Sequence, residues 1–316
     1  MASERITRRG ALQRGAAALA AGTLGSCALP VKPPEGGLRV LGRTGLKVSP
    51  LAFGGTLLVG YHALEGDVRA GRQRLFEEAI DHGINLFDSY NDGALGVYAA
   101  LAPHRDKALV IYKAEKMSRD GIRTEIDTAL RKMKRERLDL VSPHGYPWAD
   151  PANPLSECTN AEKWKGVLEA MEEMARLKQS GKVGHVAYVS HFVPHFKKII
   201  LEHPGLVDAV MVRFGPFPWF DVFGEIIDLA RERGLGVIAF KTLDGHVPYD
   251  RRLEAWQNDA AAWGRIKPLA DRGLTPAQAC IRYALSRPGV HTALVGMRTP
   301  EEIREDMAAA SHLDRA

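Results

Sequence analysis

From residue 38 onward, short apolar runs alternate with helical patterns, and this alternation limits what the chain can fold into. The runs are Leu51–Gly54, Ile84–Phe87, Leu109–Tyr112, Leu138–Val141, His185–Val189, Ala209–Arg213, Gly236–Phe240 and Thr292–Val295. Most begin 24 to 35 residues apart, the length of one strand, one helix and two loops. The gaps after the fourth and seventh runs are longer. Helical patterns fill the spaces. Arg72 to His82 stops at Gly83, and Asp120 to Lys134 carries Ile122, Ile126, Ala129, Leu130 and Met133 on one face. Trp164 to Gln179 ends before Gly181, Phe223 to Arg233 ends before Gly234, and Thr275-Pro276 opens another helix. Eight such repeats predict an α/β chain closed into a (β/α)8 TIM barrel. An open doubly wound sheet fits less well, because no G-x-G-x-x-G follows the first strand. Before that strand, Val40–Gly42 and Leu46–Val48, joined by Arg43-Thr44-Gly45, predict a β-hairpin able to plug the bottom of the barrel.

The barrel is expected over residues 38–316, behind a leader at 1–27 and a Pro- and Gly-rich linker at 28–37. In the leader, Thr7-Arg8-Arg9 precedes an Ala-rich run from Gly15 to Gly25 that is too short and too weakly apolar to span a bilayer. The pair of arginines resembles a twin-arginine (Tat) export signal, a route that carries proteins already folded. Leu24-Gly25-Ser26-Cys27 resembles a lipobox, in which Cys27 would be lipidated and anchor the protein to a membrane. Simple cleavage at Ser26-Cys27-Ala28 and an ordinary amphipathic N-terminal helix are the alternatives. The expected location is outside the cytoplasm, periplasmic or membrane-anchored, with the Tat machinery as a partner. The formal charge is +5, of which Arg5, Arg8, Arg9 and Arg14 against Glu4 supply +3, so the remainder carries only +2. That balance gives no reason to expect nucleic acid. Cys27, Cys158 and Cys280 are too few and too scattered for a disulfide framework or a zinc site. No pattern specifies an oligomeric state.

Active sites of β/α barrels lie at the C-terminal ends of the strands. Strand two ends in Asp88, strand three in Lys113, and strand four runs through Ser142-Pro143 to His144. Each alone is more often a rim charge or a satisfied structural residue, but all three on successive strands form a usable set. An Asp–Lys pair can lower the pKa of a neighbouring phenol, which then gives its proton to a carbonyl oxygen while a hydride reaches the carbon. A nearby His orients that carbonyl or shares the proton.

In this order the residues resemble the aldo-keto reductase superfamily over about residues 38 to 310. The resemblance runs through Leu41-Gly42-Arg43-Thr44-Gly45-Leu46-Lys47-Val48-Ser49, Phe53-Gly54-Gly55-Thr56 and Ala79 to Asp88. It continues in Val110 to Lys113, Leu138 to His144, Gly181 to Ser190, Ile238 to Leu243 and Gly296 to Ile303. It implies reduction of aldehydes or ketones to alcohols by NADPH, or less often NADH, without a metal. Gly55, Thr56, Ser190 and His191 would face the nicotinamide, although the family usually has Asn in place of His191. Phe240 sits where an aromatic often stacks on the ring, with a core aromatic as the bland reading. Lys241 and Leu243 would lie by the pyrophosphate, and Arg298, Glu302 and Asp306 by the adenosine. Arg298 suits a 2′-phosphate and Glu302 repels one, which leaves a mild expectation of NADPH. Met211 stands where the family has a Gln that bonds the nicotinamide amide.

The family's tyrosine usually lies five residues after the aspartate, where this chain has Gly93, with Ala94 in place of the following Glu. A deletion just after Ser89 brings Tyr90 into the tyrosine position. Tyr98 and a site with no functional tyrosine are the other readings. Three functions are therefore weighed: a carbonyl reductase, a cofactor-binding pseudoenzyme or scaffold like the family's channel subunits, and a Schiff-base lyase on Lys113. Asp88 argues against the last, since a carboxylate keeps the lysine charged. Residues 145–163, with Tyr146 and Trp148, and Phe214–Phe220, with Trp219, are expected to line the carbonyl pocket. The segment Tyr249–Trp263 is expected to close over the cofactor.

Overall fold

The computed structural model describes residues 37–54, 67–89, 99–144, 153–243 and 259–310. The leader, Gly55, Thr56, Tyr90, Tyr98, most of the loop after His144 and most of the insertion after strand seven lie outside them. The chain opens with an antiparallel hairpin, β1 (Arg39–Val40) and β2 (Lys47–Val48), with Arg39 opposite Val48. Eight strands follow: β3 (Leu51–Gly54), β4 (Leu86–Ser89), β5 (Leu109–Ala114), β6 (Leu138–Pro143), β7 (Val183–Val189), β8 (Ala209–Arg213), β9 (Gly236–Phe240) and β10 (Thr292–Val295). All neighbours pair in parallel, and β10 returns to β3, which closes the barrel as expected.

The helices are α1 (Asp67–Asp81), α2 (Arg119–Met133), α3 (Ala161–Gln179), α4 (Val193–Glu202), α5 (Gly224–Glu232), α6 (Ala260–Ala270), α7 (Pro276–Ser286) and α8 (Pro300–Ala310). Polar caps start several of them. Ser118 accepts from Gly121 N–H, Asn160 from Lys163 N–H, and Thr275 with Gln278 forms a capping box. Between β4 and β5, where the repeat usually places an α-helix, the described residues hold only the 3₁₀ segment Ala99–His104.

Alternation along each strand divides the core in two. Leu86, Ile111, Leu140, Ala187, Val189, Met211, Ile238 and Phe240 point into the barrel, while their neighbours pack under the helices. Burial on both faces explains why the strands read as nearly continuous apolar runs. The hairpin's Leu41 and Val48 belong to the inner cluster, so the hairpin does plug the N-terminal end. Gly42 makes the seat possible. Its φ is +50°, and a β-carbon there would lie 2.3 Å from the backbone nitrogen of Gly236. The Arg43 amide donates to the Gly234 carbonyl, and its guanidinium to the carbonyls of Pro204 and Val207.

Several strand boundaries differ from expectation, among them the start of β7, at Val183 rather than His185. β4 spans Leu86–Ser89 rather than Ile84–Phe87, because Ile84 N–H closes the helix stop on Ala79 and the Asn85 side chain is tied to Ser49 and Lys47 of the hairpin. β5 and β6 each continue two residues further, to Ala114 and Pro143. Asp88 and Lys113 therefore lie within strands, which hold them more rigidly than a following loop would.

Candidate active site

Asp88 and Lys113 point inward from adjacent strands at the C-terminal end of the barrel. Lys113 Nζ donates to Asp88 Oδ2 at 2.8 Å, and the residues are 1% and 5% exposed. Two charges leave water together here, and their attraction in a poorly polarisable interior offsets much of the desolvation. Burial pushes the Asp88 carboxyl upward, and the Lys113 ammonium pulls it back. His144 follows β6, where its backbone N–H donates to the Ala114 carbonyl at 2.7 Å. Burial first, and the Lys113 charge second, push its imidazole from 6.5 down to about 4. The lysine thus acts on both neighbours, and His144 is neutral at neutral pH. A neutral imidazole beside a fixed cation can donate a hydrogen bond to a carbonyl oxygen without competing for the proton.

The three described tyrosines do not reach this cluster. Tyr112 donates to Glu125 Oε1 at 3.0 Å in the outer layer, Tyr188 packs in that layer, and Tyr283 stacks on Phe214 from α7. A phenol serving the Asp88–Lys113 pair has to come from outside the described residues, where Tyr90 and Tyr98 both lie.

On the opposite wall, Ser190 directly follows β7 and is fully buried. Its Oγ accepts from Phe192 N–H at 3.1 Å and is hydrogen-bonded to His195 Nδ1 at 3.2 Å. His195 was not foreseen. It lies near the start of α4, between Trp164 and Phe192 with ring centroids 5.1 and 4.8 Å away, and burial lowers it to about 4. Its Nε2 is buried with no hydrogen-bond partner among the described residues. The Nδ1–H tautomer is therefore favoured, because the other would bury an unsatisfied N–H. In that tautomer Ser190 Oγ accepts twice, from Phe192 N–H and His195 Nδ1–H, and its own hydroxyl hydrogen is left to donate to a further partner. The spacing of a serine at a strand end and a histidine five residues on, in the first turns of a helix, was the available signal.

Most of the other expected residues that the structure describes follow the C-terminal ends of β7, β9 and β10. His191 stacks on Phe240 at 5.9 Å. Met211 is buried in the inner cluster and offers a thioether where an amide partner was wanted. The Leu243 side chain packs in the outer, helix-covered core, which leaves its backbone as the part able to meet a phosphate. Lys241 holds φ +58°, a conformation that a non-glycine residue adopts at a cost of about 1 kcal/mol. Next to it, Thr242 Oγ1 is buried and has no hydrogen-bond partner among the described residues. An orphan hydroxyl beside a lysine suits an anionic group such as a pyrophosphate. At the start of α8, Arg298 N–H donates to Glu302 Oε2 at 2.8 Å and its Nη2 to Oε1 at 3.3 Å. Asp306, one turn further on, is buried. A separate open depression of about 630 Å³, lined by Cys158, Trp164 and Lys198 among others, lies on the helix faces outside the barrel.

A closed parallel barrel with a buried ion pair and a histidine at the C-terminal ends of its strands defines a β/α barrel whose polar residues stand where such barrels carry their active sites. The chain belongs to the aldo/keto reductase family, whose model matches residues 51–314. It is 24% identical over 299 residues to L-galactose dehydrogenase of Arabidopsis thaliana, covering 88% of this chain and 89% of that protein. It is 23% identical over 320 residues to the uncharacterised oxidoreductase YrpG of Bacillus subtilis, covering 85% and 89%. Among solved structures, an aldo-keto reductase fold from Pseudomonas aeruginosa superposes with a TM-score of 0.63 at 21% identity, covering 87% of this chain and 94% of that one. The family and these relatives support a general oxidoreductase activity.

Proposed function

We propose that the protein reduces an aldehyde or ketone to the alcohol with NAD(P)H. The buried Asp88–Lys113 pair, with a neutral His144 on the next strand, carries this reading. Ser190, His191, Phe240, Lys241 and Thr242 would hold a nicotinamide cofactor, which would supply the hydride when bound. His144 orients the carbonyl by donating to its oxygen. The Lys113 ammonium, held in place by Asp88, lowers the pKa of a phenol at the mouth, and Tyr90 delivers the proton. In this reading the protein leaves the cytoplasm already folded by the Tat route, and lipid on Cys27 anchors it. Replacing both Arg8 and Arg9 by Lys would then retain it in the cytoplasm.

The test is a fluorescence titration of the purified protein with NADPH and NADH, followed by an assay against a panel of aldehydes and ketones. Cofactor binding with turnover of at least one carbonyl is expected. Binding of neither dinucleotide would sink the proposal. Binding without turnover would instead favour a cofactor-binding scaffold, a reading that Gly93 in the usual tyrosine position supports. Full activity in a Tyr90→Phe variant would remove Tyr90 from the mechanism.

A further inference from the structure

The pairing of Arg298 with Glu302 bears on which dinucleotide the barrel takes. We infer that this ion pair turns the adenosine end of the site against a 2′-phosphate, so that the protein binds NADH in preference to NADPH. The inference rests on the nicotinamide-cofactor reading above.

Glu302 is only 5% exposed and is held at several points. Its carboxylate accepts the backbone N–H of Arg298 at 2.8 Å and the guanidinium at 3.3 Å, while its own N–H donates to Thr299 Oγ1 at 3.2 Å. It is the third residue of α8, so it also answers the positive end of that helix. The two features that would draw a phosphate here, a guanidinium and a helix N-terminus, thus face one internal anion. The other guanidinium of the segment is engaged elsewhere, with Arg304 bonded to Glu78 at 3.1 Å and Glu301 at 2.9 Å. Of the neighbouring carboxylates, Glu301 is bonded to Arg304 and Glu305 to Thr275 at the start of α7, so Glu302 is the one that meets Arg298.

A ribose hydroxyl can donate to a carboxylate, whereas a phosphate dianion cannot and is repelled. Removing one unit of negative charge roughly 6 Å from a dianion in water-like surroundings changes its binding by about tenfold, and the paired guanidinium offsets part of that repulsion in the wild type. Lys241 and Thr242 do not discriminate, because both dinucleotides carry the pyrophosphate.

Two pairs of probes isolate the effect. NADH and NADPH are titrated by quenching of tryptophan fluorescence, and 5′-AMP and adenosine 2′,5′-bisphosphate by calorimetry. In each pair the form without the 2′-phosphate is expected to bind tighter, by about fivefold or more. Glu302→Gln keeps an oxygen able to accept the Arg298 N–H and removes the charge. It is expected to shift both ratios about tenfold toward the phosphorylated forms. Tighter binding of NADPH by the wild type overturns the inference and leaves the reductase reading standing. So does a ratio unmoved in a Glu302→Gln variant that melts like the wild type. Should that variant not fold, the wild-type ratios decide alone. Binding of neither dinucleotide overturns the cofactor reading, and this inference with it.

Discussion

His195 makes the stability of the barrel depend on pH in a way that one substitution can isolate. The imidazole is 1% exposed, wedged between Trp164 and Phe192, and burial lowers it from 6.5 to about 4. The folded state therefore refuses a proton that the unfolded state accepts. The stability that follows from keeping it neutral is fully present above pH 6.5. It is lost as the pH falls from there toward 4, and no more is lost below. Over the whole window the difference amounts to about 3 kcal/mol, of which about 2 kcal/mol is gone by about pH 5. Phenylalanine fills the same slot without titrating. Urea unfolding followed by tryptophan fluorescence, at about pH 7.5 and about pH 5, gives the loss for the wild type and for His195→Phe. The carboxylates common to both proteins, including Asp88 and Asp139, cancel in the comparison. The wild type is expected to lose about 2 kcal/mol more than the variant. Equal losses, to within about 0.5 kcal/mol, would refute the argument that burial holds this ring neutral.

Three further outcomes follow from the same geometry. Asp88→Asn removes the counter-charge 2.8 Å from the Lys113 ammonium and is expected to cost about 3 kcal/mol or more in chemical unfolding, together with carbonyl turnover. Because His144 is held near 4, kcat/KM for carbonyl reduction is expected to stay level through pH 6.5 and to fall only near 4; an acid limb centred at 6.5 would show that the imidazole titrates normally. Gly42→Ala drives a β-carbon to 2.3 Å from Gly236 and is expected to destabilise by about 3 kcal/mol or more, whereas Gly45→Ala, with φ +72° but open space around it, should cost only about 1 kcal/mol. Matched melting temperatures for those two variants would deny that the hairpin plugs the barrel.

How much of this was legible in the sequence depended on whether one residue's own neighbours decided the outcome. The strands were readable because burial on both faces forces continuous apolar runs, and the Asp88, Lys113 and His144 positions stood out as polar side chains ending those runs. The start of β4 was not readable, because Asn85 is claimed by Ser49, 36 residues earlier, and a contact at that distance leaves no local pattern. His195 was missed for a similar reason. Its burial needs Trp164 from another helix, and only then does its bond to Ser190 acquire meaning. Arg298 and Glu302 show a third kind of limit. As letters they are a cation and an anion that each bid separately for the adenosine, and their effects are weighed one against the other. Four residues apart at a helix start they are a single bonded unit, and the carboxylate is the member held rigidly by the backbone. Charges that count separately in a sequence count in a fold only after their mutual pairing, so a preference estimated from the two side chains independently can invert once they meet.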